Sequence, residues 1–271
     1  MYLTKHASPA GPRWAVDGQL LATGLGLGTL LGLSPQRMRA TLAGAVTDDH
    51  ADGPLLAPID DAQEVWACGV TYLRSREARV AESDTRDVYE KVYDADRVEV
   101  FFKAVGWRVR GPSDPIRVRA DSAWNVPEPE LTLVLNQGGD IVGYTVGNDV
   151  SSRDIEGENP LYLPQAKVYE GSCAIGPGIV IANADEQRAL GITLRIERGG
   201  NTVFSGESSA AQLKRSLEEM GSWLYREIDF PHGAFLMTGT GLVPPDEFNL
   251  SPGDRVRISV GNLSLENTVS A

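Results

Sequence analysis

Apolar positions along the chain fall into short alternating or unbroken runs separated by glycine and proline, and few sit at helical spacing. That pattern predicts a protein built mainly of short strands and turns. Strands are expected at Arg13–Val16, Glu64–Val70, Val98–Lys103 and Arg117–Ala120 in the first half. In the second half they are expected at Ile179–Ile181, Ile192–Ile196, Arg255–Val260 and Asn262–Val269, with Gly199-Gly200 as a hairpin turn. Two helices stand out. Ser34 is an N-cap, with Pro35 in the first turn, for a helix to about Ala43. Ser209 to about Arg226 is amphipathic, with Leu213, Leu217, Met220 and Leu224 at 3–4 spacing. Residues 75–95 are charged and favour helix, either as a solvated helix or as a cover over a site. The stretch Asp48–Pro54 reads as a solvated loop. Gly24, Gly26, Gly28 and Gly32 do not meet a dinucleotide fingerprint.

Residues 1–58 are expected to form a small N-terminal domain and 59–271 the main one. A hydrophobic content of 42% with 23% charged residues is that of a soluble globular protein. The net charge of −12 disfavours nucleic acid or an anionic membrane as partner. No apolar run approaches the length of a transmembrane helix, and Met1–His6 shows no signal-peptide pattern. Cys68 and Cys173 are too few for a disulfide framework. A cytoplasmic protein is expected.

The candidate chemistry lies in Val126-Pro127-Glu128-Pro129-Glu130, at the mouth of the apolar run Leu131–Leu135. Residues two apart on a strand share a face, so Glu128 and Glu130 point the same way. If Gln137–Asp140 turns the chain, Asp149 returns beside them. Three carboxylates without His or Cys suit Mg²⁺, Mn²⁺ or Ca²⁺ rather than Zn²⁺. The same spacing is equally met by an exposed Glu pair leading into an ordinary hairpin.

Over residues 60–270 the chain resembles the fumarylacetoacetate hydrolase family. The resemblance rests on an ordered set: Gly69–Tyr72, Phe101-Phe102-Lys103, Pro127–Glu130, Asn148–Asp154, Ala166-Lys167, Ile175–Pro177, Thr238–Thr240 and Pro252–Asp254. It implies an α+β, mainly β fold, a mixed β-sandwich roll after a small N-terminal domain, in a homodimer or higher homo-oligomer. It also implies Mg²⁺, Mn²⁺ or Ca²⁺ bound by Glu128, Glu130 and Asp149, with Lys167 facing the metal and substrate oxygens and Thr240 contacting substrate. The family's hydrolases carry a histidine three residues after the turn tyrosine. Here that position is Ser75, and the histidines are His6, His50 and His232. The segments Thr71–Arg79 and Tyr162–Ser172 are more similar to the branch that dehydrates 2-keto-3-deoxy sugar acids.

The expected function is therefore metal-dependent dehydration of 2-keto-3-deoxy-D-arabinonate, or a related pentonate, to 2-oxoglutarate semialdehyde. The alternatives are a C–C hydrolase or decarboxylase of an acylpyruvate-type 2-keto acid, or a non-enzymatic protein with a structural metal. Lys167, Glu128 and Tyr72 are the catalytic candidates; Tyr72, Arg76, Lys103, Lys167 and Thr240 are the substrate contacts. Lys167 is either a base or an electrostatic anchor, and Arg76 either a substrate contact or a surface pair with Glu77 or Glu82. Arg153 either braces the metal loop or touches substrate. Glu156 and Glu158 are read as solvent-exposed.

Overall fold

The computed structural model describes residues 1–74 and 91–270. Among these, two large sheets hold most of the strands. The N-terminal strands are β1 (Tyr2–His6), β2 (Arg13–Val16), β3 (Gln19–Leu21), β4 (Val46–His50) and β5 (Leu55–Leu56). The central strands are β6 (Glu64–Cys68), β7 (Val100–Val105), β8 (Ile116–Arg117), β9 (Asn125–Val126), β10 (Pro129–Leu135), β11 (Ile141–Asp149) and β12 (Ser151–Ser152). β13 (Cys173–Ile181), β14 (Gly191–Arg198), β15 (Asn201–Ser209), β16 (Ala234–Met237), β17 (Arg255–Val260) and β18 (Leu263–Ser270) complete the set.

The larger sheet runs β4-β3-β2-β1-β13-β11-β10-β16-β6-β7, with β5 beside β1; it is mixed, since β16 and β6 are parallel. The smaller runs β15-β14-β17-β18-β8. The N-terminal strands extend the main sheet through β1 and β13, where Leu3 pairs with Ile179.

The strand that organises the molecule is β10, buried along its whole length. Its side chains alternate between two cores. Leu131, Leu133 and Leu135 pack in the core that holds Ile192, Leu194, Ile196, Ile258 and Leu265 of the smaller sheet. Val134 faces the other core, with Leu27, Leu30 and Leu31. A strand covered on both faces reads as an unbroken apolar run, which is what 131–135 shows. The acidic pair stands at its start, Glu130 within the strand and Glu128 just before it.

The helix expected after Ser34 forms over Pro35–Gly44, with Pro35 in its first turn and Ser34 at the N-cap position without a side-chain capping bond. Three local expectations change. The amphipathic helix covers only Leu217–Leu224. β15 extends to Ser209, a 3-10 turn follows at Ala210–Gln212, and Ser216 caps the helix by accepting from the Glu219 N–H at 3.1 Å. Leu213 keeps its apolar contact but does so in extended backbone, bridged to Tyr72. The polar stretch after Ala45 contains strand β4, paired with β3 and exposed at its end. Lys103 lies inside β7, not at its end. No described helix is long and apolar enough to cross a membrane, which says nothing of a β-barrel.

Candidate active site

The β10–β11 hairpin brings the acidic residues together. Its turn is closed by Asn136, whose Oδ1 accepts from the Asp140 N–H at 2.8 Å. The register sets Pro129 opposite Asn148, and the Asp149 N–H donates to the Glu128 carbonyl at 3.0 Å. Glu128, Glu130 and Asp149 are all buried, and one carboxylate oxygen from each lies within 4.8 Å of the others. The exposed-pair alternative does not hold.

Among the described residues, three buried cations surround this trio. Lys167 ends the helix Leu163–Lys167, and its Nζ donates to Glu128 Oε2 at 2.9 Å, Asp149 Oδ2 at 3.0 Å and Ser151 Oγ at 2.6 Å. Those bonds use the three donors of an ammonium. Lys103 Nζ lies 2.5 Å from Asp149 Oδ1 and donates to the Val150 carbonyl at 3.0 Å and to the Lys167 carbonyl. Lys103, itself fully buried, thus braces Asp149 of the trio. The guanidinium of Arg153 reaches Glu128 Oε1 at 3.1 Å.

Glu130 is treated differently. Its Oε2 accepts from the Gly239 N–H. Burial holds its carboxyl well above the usual carboxylate range, and Asp149 and Glu128 push it further the same way; Lys167 and the Gly239 N–H oppose them. A cation among the three carboxylates would relieve that repulsion. The donors are all oxygens. The nearby Cys68 thiol is pushed well above its ordinary value, first by burial, so it remains a poor metal ligand. The site fits a hard divalent ion such as Mg²⁺.

The opposite wall is the Thr238–Thr240 segment. The Thr238 N–H and Oγ1 both donate to the Leu131 carbonyl, at 3.0 and 2.9 Å, and Thr71 Oγ1 donates to the Thr238 carbonyl at 2.6 Å. Gly239 has φ +88°, and a Cβ there would collide with Thr71 Oγ1, so glycine is required. Thr240 lines the cavity, with its hydroxyl bonded to the backbone of Leu242. Val70 lines it too, at φ +51°, an uncommon conformation for a β-branched residue.

The cavity is also lined by Glu128, Asp149, Lys167, Phe101, Glu99 and Glu156. Tyr72 is buried close by; burial, then the Glu130 charge, raises its phenol. Arg76 and Ser75 lie outside the described residues, as does most of the 75–95 segment. Glu156, expected in solvent, is instead buried. A signal for this exists in the sequence: Arg153 and Glu156 are three apart on one helix, hence on one face. Glu158, at the end of that helix, is exposed as expected.

A family model described as fumarylacetoacetate (FAA) hydrolase C-terminal matches residues 65–270. The chain is 48% identical over 242 residues to a Haloferax volcanii protein named probable 2-keto-3-deoxyxylonate dehydratase, covering 88% of this chain and 83% of that protein. It is 45% identical over 210 residues to the 2-dehydro-3-deoxy-D-arabinonate dehydratase of Saccharolobus solfataricus, covering 75% and 70%. A solved 2-keto-3-deoxy-D-arabinonate dehydratase complexed with magnesium and 2,5-dioxopentanoate matches with TM-score 0.84 and 36% identity, covering 100% of this chain and 99% of that one.

Proposed function

The chain belongs to the fumarylacetoacetate hydrolase family, and we propose that it is a divalent-metal-dependent dehydratase of a 2-keto-3-deoxy sugar acid. Its product would be 2-oxoglutarate semialdehyde, that is 2,5-dioxopentanoate. The observation that carries this reading is the buried Glu128–Glu130–Asp149 trio in a chain 48% identical to a protein named as such a dehydratase.

Glu128, Glu130 and Asp149 would hold Mg²⁺, which polarises the ketone of a 2-keto acid and favours loss of a C3 proton. Lys167 orients the two oxygens of the keto acid and balances charge developing on the C2 oxygen. Its ammonium already donates to three acceptors, which supports the anchor role over that of a base. Lys103 and Arg153 fix Asp149 and Glu128, and Tyr72 and Thr240 shape the wall. Two buried free thiols suit a reducing, cytoplasmic setting. A homo-oligomer belongs to the same reading, and light scattering tests it.

The function is tested by NMR product assay with Mg²⁺ and 2-keto-3-deoxy-D-pentonate, with an acylpyruvate in parallel. The expected result is 2-oxoglutarate semialdehyde, abolished by EDTA and by Glu128→Ala. Release of pyruvate from the acylpyruvate instead would make the protein a hydrolase.

A further inference from the structure

The Lys167 ammonium gives its donors to Glu128 Oε2 at 2.9 Å, Asp149 Oδ2 at 3.0 Å and Ser151 Oγ at 2.6 Å. An ammonium has three donors, so a Lys167 that bonds to a keto-acid oxygen must release one of these acceptors. We infer, resting on the dehydratase reading above, that the acceptor released is Ser151. Its hydroxyl is a resting place for the ammonium, and it competes with the keto acid for Lys167.

Charge decides among the three acceptors. A bond between an ammonium and a carboxylate is about twice as strong as one to a neutral oxygen, and Ser151 is the neutral acceptor of the three. A carboxylate oxygen has lone pairs for more than one partner, so Glu128 and Asp149 can keep Lys167 while they hold a cation. Releasing Ser151 also leaves no buried hydroxyl unpaired, because its O–H donates to the Asp149 carbonyl at 3.0 Å.

Placement agrees with charge. Lys167 lines the cavity, whereas Ser151 is fully buried and does not line it, so their bond aims one donor into the protein. The exchange needs no backbone movement. Ser151 is fixed in β12, opposite Val126 of β9. The Lys167 carbonyl is held by Lys103 and by Ser172 Oγ, the latter at 2.9 Å. Only the end of the lysine side chain turns. The Phe101 ring, on the cavity wall, has its centroid 5.5 Å from Nζ and gives the turning ammonium an aromatic face to rest against.

Ser151 is therefore a positioning residue that acts through Lys167, and it weakens binding of the keto-acid head. Substrate and product of the dehydration share that head. A site that gripped it without competition would hold the product as firmly as the substrate, and return of the ammonium to Ser151 helps the product leave. A serine that merely braced the site would act in the opposite sense, since losing a brace loosens binding.

The test is calorimetry of 2-oxobutanoate, a keto acid with the same head and no C4 hydroxyl, at saturating Mg²⁺. Ser151→Ala is expected to bind it about 10-fold more tightly than the wild type. The bond to the Asp149 carbonyl is lost with and without ligand, so it cancels from this comparison. In EDTA the same variant should melt below the wild type, and saturating Mg²⁺ with 2-oxobutanoate should narrow the gap. Unchanged or weaker affinity would overturn the inference. Ser172→Ala, which removes a bond to the carbonyl of the same lysine, should bind no more tightly than the wild type. Equal tightening in both variants would reflect general loosening of Lys167 and would also overturn it. If Ser151→Ala fails to fold, Ser151→Cys decides, since sulfur is a weak acceptor of similar shape. Tighter binding is expected there too, and unchanged or weaker binding overturns the assignment. Wild-type binding of 2-oxobutanoate without dehydration of the pentonate would remove the substrate assignment and leave the Ser151 comparison standing. No binding by the wild type at saturating Mg²⁺ would overturn both.

Discussion

Two groups of charged side chains in this protein use the same residue types to different ends. Around the open end of β10, Glu128, Glu130, Asp149, Lys103, Lys167 and Arg153 are all at most 4% exposed. On the smaller sheet, Arg255 and Arg257 of β17 flank Glu266 of β18, at 2.8 and 2.6 Å. Their side chains are 51%, 56% and 35% exposed. The pair distances in the two groups are similar. Solvent separates them: water screens the outer ladder and leaves each pair worth little, whereas in the interior each charge must be matched and the loss of one partner is costly.

The largest effect that could break this comparison is on activity. Glu130→Gln keeps shape and removes one negative charge from the trio. Metal-dependent turnover is expected to fall on the order of 1000-fold, about 4 kcal/mol of transition-state stabilisation. The same change removes repulsion from Asp149 and Glu128, so the melting temperature of the EDTA-treated protein should not fall. Near-normal kcat/KM would show that Glu130 is no ligand. Next is Lys103→Met, which removes the ammonium from Asp149 Oδ1 and from the Val150 and Lys167 carbonyls, while Lys167 still holds Asp149 Oδ2 and Ser172 still donates to the Lys167 carbonyl. The expected loss is about 3–5 kcal/mol in urea unfolding. A loss under about 1 kcal/mol would place the buried centre on the same footing as the surface ladder.

The contrast also explains what is legible in the sequence. The acidic trio and Lys167 stand in short segments beside apolar runs, and strand alternation with one turn suffices to bring Asp149 back to Glu128. The mainly β fold follows from the runs themselves. What stays hidden depends on contacts between distant segments. Glu156 looks like any charged residue in a polar stretch until the tie from Arg153 to Glu128 turns its helix inward. Lys103 looks like a strand-end lysine because nothing local shows that the Val150 and Lys167 carbonyls meet its Nζ. Leu213 has helical spacing, yet Ser216 caps the helix after it and Tyr72 bridges it in extended form.

Gly239→Ala sharpens the comparison at an intermediate scale, because it adds no charge and removes none. Its Cβ would collide with Thr71 Oγ1 and crowd the Cys68 carbonyl at 3.0 Å, at a φ of +88°. Strain of about 1–3 kcal/mol is expected. The Gly239 N–H also moves off Glu130, so Mg²⁺ affinity measured by calorimetry should weaken by about 10-fold. Unchanged Mg²⁺ affinity in a destabilised variant would detach this wall from the centre.

The smallest effect belongs to the ladder. The Arg255 hydrogen bond, followed by the bond from Arg257, holds the Glu266 carboxyl below its ordinary value of 4.5. A carboxyl lowered in the folded state contributes stability that is present above the unfolded value and is lost as pH falls through the folded one. Glu266→Gln should therefore cost about 0.5 kcal/mol at pH 7, and less as the pH drops below 4.5. Urea unfolding at pH 7 should show the cost shrinking at about 1 M salt, where charges are screened within about 3 Å. A cost above about 2 kcal/mol, insensitive to salt, would mean that the ladder behaves like the buried centre, and that solvent exposure is not what divides the two.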